Sequence, residues 1–269
     1  MEQQINIGIF TVIGLGLASV TSALLPVILW IIWRKKAHAA WIPLIAGVVG
    51  YLFIGTFRGV ARALFLTPMQ DTPWLFYILQ AVFAGVFEEG GRYLIFRYAI
   101  PQHDRYTDAA SYGIGHGGLE HLIVGWQSSL FFGFVVALLY HFQGIDGLLA
   151  QGMDMEGLPE LLQDIADHHF LRCLLIALVN FGSLLFQCCM SVLVFTAVHR
   201  DRHPRWLLAA CGLHVLADII PAFHFAGDLS EMEIDVLQLL FAAGVVYLTY
   251  RVRQHYEAEN HTGELPDFT

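Results

Sequence analysis

Four polar pairs recur at a spacing of four inside otherwise apolar stretches: Arg58–Arg62, Glu88–Arg92, His116–Glu120 and His214–Asp218, with Glu89 beside Glu88 and His121 beside Glu120. In a helix, residues four apart share one face, one turn apart. An ionisable group near the centre of a bilayer costs about 2.5–3.5 kcal/mol on insertion scales, so such groups mark an ion pair, a cavity or chemistry. A carboxylate with two imidazoles can activate water. The carboxylate takes the proton, a histidine or a metal orients the attack, and a second histidine with a carboxyl neighbour stabilises an oxyanion or donates to a leaving amine. The same types of side chain could bind Zn²⁺ through His116, His214 and Asp218, leaving one position for water. The sequence contains no HExxH, which excludes a zincin.

The elements that must hold these groups are transmembrane helices. The chain of 269 residues is 57% hydrophobic and 14% charged, with a mean hydropathy of +0.59; a soluble domain carries about 25% charged residues. A helix needs about 20 apolar residues to cross the hydrocarbon. Runs near 7–33, 41–66, 74–100, 109–141, 170–198, 206–224 and 233–250 meet or approach that length. The fourth is long for one helix and is read as a single, bent crossing. The sequence therefore predicts an all-α, polytopic membrane bundle of about seven transmembrane helices, one integral membrane domain over 1–269, with a mobile cytoplasmic tail over 254–269.

Charge orients the bundle. Basic residues follow every second run: Arg34, Lys35 and Lys36; Arg97 and Arg105; Arg200, Arg202 and Arg205; Arg251 and Arg253. The alternate connections, 67–73, 142–169 and 225–232, have no Lys or Arg. The positive-inside rule then places the protein in the cell membrane with the N-terminus outside and the C-terminus in the cytoplasm. Within 142–169, LPELLQDIADHH reads as a short amphipathic helix on the outer rim. The net charge of −9 does not suggest a nucleic-acid partner. Cys173, Cys188, Cys189 and Cys211 fall in apolar runs without metal spacing and read as small buried residues.

Depth brings the polar groups together. Counting inward from the basic ends at ~1.5 Å per residue, Glu89 lies ~16 Å deep, His116 ~10 Å and His214 ~12 Å, with Glu120 and Asp218 each ~6 Å further. Three helices thus deliver acids and imidazoles to one overlapping layer. Gly90, Gly91, Gly113, Gly115, Gly117 and Gly118 crowd the same layer, where missing side chains let helices approach or leave room for a substrate backbone.

EEGGRY, GHGGLE and HVLAD, in that order, resemble the three motifs of the YhfC-type intramembrane proteases, within a superfamily that includes the CAAX-processing (CPBP) and PrsW-type proteases. The resemblance implies an intramembrane endopeptidase of glutamic or metal-dependent type that acts on a membrane-embedded or lipid-anchored protein substrate. Residue by residue, it implies that Glu88 or Glu89 activates water, that His116 is the histidine of the second motif with Glu120 one turn on, and that His214 and Asp218 form the third. The spacing EExxR in place of the CAAX-type EExxxR leaves the choice of glutamate open, with Arg92 as its charge partner. Two other readings of an intramembrane Glu–His–Arg set are a proton-coupled transporter, which predicts repeats that are not evident, and a non-catalytic membrane scaffold or immunity protein.

Overall fold

The computed structural model describes residues 5–127, 130–154, 156–225 and 229–262. Among them all regular structure is helical: α1 (Ile9–Ala37), α2 (Trp41–Phe65), α3 (Pro73–Leu94), α4 (Tyr106–Gln127), α5 (Leu130–Ala150), α6 (Leu158–Asp167), α7 (Phe170–His199), α8 (Arg205–Ile219), α9 (Ala222–Phe225) and α10 (Glu231–Thr262). This is a polytopic membrane helix bundle. Along α2, Ile42, Ile45, Val49, Phe53, Phe57, Val60 and Leu64 are all exposed, an apolar face that only lipid would cover.

Five of the described helices are long and apolar enough to cross a membrane: α1, α2, α5, α7 and α10. Of the other helices, α3, α4 and α8 carry the acids and imidazoles singled out above, while Arg58 and Arg62 lie on α2, and α8 has only 15 residues. Three of the expected runs are more articulated than sequence alone suggested. The third ends as α-helix at Leu94 and continues as a wide π-turn over Ile95–Ala99. The sixth breaks after Ile219, where Pro221 can neither donate to the ladder nor leave its predecessor helical. The fourth is described as two helices, α4 and α5, with residues 128–129 outside the described set.

Contacts with α1 nevertheless line α4 and α5 up end to end. Trp33 donates from Nε1 to the Thr107 carbonyl at 3.2 Å, and Gly118 abuts the Pro26 ring. Ser19 donates to the Leu130 carbonyl at 3.3 Å, and His141 Nδ1 lies 2.9 Å from the Ile7 carbonyl. As α4 and then α5 advance, their partners on α1 retreat from Trp33 to Ile7, so the two helices run antiparallel to α1 along its length. α5 then kinks at Gly144, whose φ of 66° favours glycine.

The basic connections gather at one end. Arg200 donates to the Asp104 carbonyl at 2.6 Å, Arg205 to the Tyr256 hydroxyl at 2.7 Å, and the Arg253 guanidinium lies 5.7 Å from the Tyr106 ring centre. At the other end Arg172 joins α7 to α10 through Asp235 and through Glu231 at 2.6 Å. There too lies α6, the expected amphipathic helix, whose Leu158, Leu162 and Ile165 are buried against α1 and α5. The expected mobile tail begins inside α10, which runs to Thr262; residues 263–269 lie outside the described set.

α4 is the central helix, packed against α1, α2 and α7. Its glycines make that possible. A Cβ on Gly115 would strike the Leu44 carbonyl oxygen of α2, and one on Gly113 would lie 2.5 Å from the Cys188 Cα of α7. Gly90 of α3, in contrast, faces open space.

Candidate active site

Glu88 and Glu89 are neighbours on α3, and successive helical side chains diverge by about 100° because a turn takes 3.6 residues. They therefore address different helices. Glu88 turns toward α2 and α4: Oε1 is ion-paired with Arg58, and Oε2 lies 3.2 Å from His116 Nε2. Glu89 turns toward α7 and α8: Oε1 lies 2.6 Å from His214 Nδ1, and Oε2 accepts from Arg92 at 3.1 Å. Of the two glutamates, Arg92 thus pairs with Glu89, at i, i+3, and α2 supplies Glu88 with its cation. His214 spans the two acids, with Nε2 3.7 Å from Glu88 Oε2.

A second tier fixes these groups. Arg92 donates to the Gln187 side-chain oxygen at 2.6 Å, and the Gln187 amide donates to Glu120 Oε2 at 2.6 Å. A chain of hydrogen bonds therefore runs His214–Glu89–Arg92–Gln187–Glu120 across α8, α3, α7 and α4. The His116 ring meets Tyr51 edge-on at 5.2 Å and stacks on Tyr112 at 5.8 Å. Phe186 meets His214 edge-on at 5.5 Å. Glu88, Glu89, Arg92, His116 and His214 are all at most 2% exposed. Burial on that scale is tolerable only because each charge has a partner.

One side of the cluster opens. A cavity of about 320 Å³ between α4, α7, α8 and α10 is lined by Glu120, His121, Gln187, His214 and Asp218 among others. Asp218 does not join the hydrogen-bonded chain; it stands on the cavity wall, one turn along α8 from His214. His121, next to Glu120 in the chain, is buried with Nε2 unpartnered among the described residues, and it too lines the cavity.

Among the described residues, Glu88, His116 and Glu120 form a group whose ligand atoms all lie within 4.8 Å of one another. Two carboxylates and an imidazole are a ligand set that suits a divalent cation. The charges also suit one: among the described residues, Glu88 and Glu89 are ion-paired with Arg58 and Arg92, and Glu120 and Asp218 form no ion pair. A buried His116 Nδ1 without a protein partner adds an unsatisfied atom at the same place. The residues therefore fit a metal. The set differs from the expected His116–His214–Asp218, because His214 commits Nδ1 to Glu89 and Asp218 faces the cavity.

Sequence reading missed Gln187. Gln187 was visible as an amide in the middle of the apolar α7, but attention to ionisable groups alone passes over it.

The family described as YhfC intramembrane metalloprotease matches residues 21–239, a stretch that contains every residue of the cluster. An uncharacterized membrane protein, YhfC of Bacillus subtilis (strain 168), is 26% identical over 255 residues, which cover 91% of this chain and 98% of that protein. No solved structure matches.

Proposed function

This chain belongs to the YhfC intramembrane metalloprotease family, and from that premise we propose that it hydrolyses a peptide bond of a membrane-embedded or lipid-anchored protein, with Glu88 as the base that activates water. The observation that carries the reading is the meeting of Glu88, His116, Glu120 and His214, from three helices, beside a cavity about 320 Å³ in volume. The distribution of basic residues supports a cell-membrane protein with the N-terminus outside and the C-terminus in the cytoplasm.

In this mechanism the substrate lies in the cavity with its scissile carbonyl between Glu88 and His214. Glu88 Oε2 takes a proton from water as the water oxygen bonds to the carbonyl carbon, and Arg58 holds the other oxygen. His214 Nε2 donates to the oxygen that gains charge. Collapse of the tetrahedral species breaks the C–N bond, and the leaving amine takes the proton from Glu88. Glu89 is a positioning residue. It holds His214 by Nδ1, so that Nε2 faces the reaction, and Arg92 and Gln187 hold Glu89 in turn. A Zn²⁺ or similar divalent ion held by Glu88, His116 and Glu120 would itself acidify the water and polarise the carbonyl, with Glu88 then a ligand in place of the base.

The test is cleavage of a membrane-anchored reporter by the purified protein in lipid nanodiscs, with the metal content of the same sample measured. Glu88→Gln, His116→Ala and His214→Ala are expected to lose about 100-fold or more in rate, and His116→Ala to lose the metal as well. Full activity in all three would end the proposal.

A further inference from the structure

A second cavity, about 370 Å³, lies across α8 from the first. It is bounded by α2, α3 and the turn between α8 and α9, and its polar lining is Arg58, Arg62, Tyr77, Gln80 and Asp218. Asp218 lines both cavities. Glu88 stands between them: Oε1 meets Arg58 of the second, and Oε2 faces His214 of the first. A peptide laid from one cavity into the other would pass the groups that do the chemistry.

The lining of the second cavity carries two arginines and one carboxylate, Arg58, Arg62 and Asp218. Away from the basic connections the described residues include four cations, Arg58, Arg62, Arg92 and Arg172, of which Arg92 is paired with Glu89. Glu88 answers Arg58, and Asp235 with Glu231 answers Arg172. Arg62 has no carboxylate within ion-pairing distance among the described residues; its guanidinium lies 5.8 Å from the Phe76 ring centre. A guanidinium prefers a planar anion that can accept two of its N–H groups together.

We propose that the second cavity is a substrate subsite in which Arg62 binds a carboxylate of the peptide being cleaved. This rests on the hydrolase reading above. Arg62 is one turn beyond Arg58, ~6 Å along α2. Extended chain advances ~3.3 Å per residue, so the carboxylate sits about two residues from the scissile bond. It belongs either to an Asp or Glu side chain or to the free C-terminus of the substrate.

Three fluorescein-labelled apolar hexapeptides separate these cases. One has a free C-terminal carboxylate, one an amidated end with Glu two residues in, and one an amidated end with Gln there. Each is titrated by anisotropy onto the protein in phosphatidylcholine nanodiscs. One carboxylate peptide is expected to bind about tenfold more tightly than the Gln peptide, and which of the two it is identifies the source. Arg62→Gln is expected to bring all three within about twofold of each other, and Arg62→Lys to keep part of the preference. Equal or absent binding by the parent protein overturns the subsite, and so does a preference that survives Arg62→Gln. Cleavage of the same peptides, followed by mass spectrometry, reports on the hydrolase reading separately. Preference without cleavage keeps the subsite and counts against the reaction; cleavage without preference does the reverse.

Discussion

Replacing Glu89 by Gln removes a charge from a place where nothing else can take it up. Glu89 and Arg92 have side chains with 0% exposure, and His214, the other partner, has 3%. Removing one member of a buried pair strands the other and costs ~3–5 kcal/mol. Gln keeps the shape and one acceptor, so about 3 kcal/mol is expected. Glu88→Gln is a different case. Its cation, Arg58, has a side chain 31% exposed, which lets solvent screen the loss, and a stability cost of about 1 kcal/mol or less follows. The rate should fall by about 10²–10⁴ because the base is gone. Unfolding of both variants in detergent, read by tryptophan fluorescence, and reporter cleavage in nanodiscs give the comparison. A Glu89→Gln protein as stable as its parent, or a Glu88→Gln protein that still cleaves at full rate, would refute this division of labour.

Two further outcomes follow from packing. Gly115→Ala drives a methyl group into the Leu44 backbone and is expected to lower stability by about 1–3 kcal/mol; Gly90→Ala, which meets nothing within 4 Å, should raise it by about 0.5–1 kcal/mol, and the same unfolding assay reads both. Gln187→Leu leaves Arg92 and Glu120 each without a charge-assisted hydrogen bond, a loss of about 3 kcal/mol or more, and cleavage should fall because His214 is no longer held through Glu89.

Much of the site was legible because expensive residues in apolar runs announce themselves. Glu88, Glu89, His116, Glu120 and His214 were placed in one layer by counting residues, and they do converge. Periodicity could not say which glutamate faces which helix. That depends on how α3 is rotated in the bundle, and the rotation is set by packing: Gly85 against Val215 of α8 and Gly91 against Ile54 of α2. The choice of glutamate left open by the motif follows from the same rotation: Arg92 meets Glu89, and α2 brings Arg58 to Glu88 from 30 residues away. The glycines of α4 had two readings, and four of them fill contacts with neighbouring helices. The break before Pro221 was marked by the proline itself, whereas the extension of α10 to Thr262 lies in a polar stretch where hydropathy is silent.

The brevity of α8 bears on how a hydrolase inside a membrane obtains its second reactant. Fifteen residues rise only ~22 Å, against ~30 Å of hydrocarbon. The carbonyls freed beyond Ile219 need hydrogen-bond partners that acyl chains do not offer. Next to them, Asp218 opens onto two cavities. A far leaflet that thinned to meet the end of α8 would bring water to within one helical turn of His214. Hydration of the scissile bond would then need no separate channel, because the missing length of helix is the route.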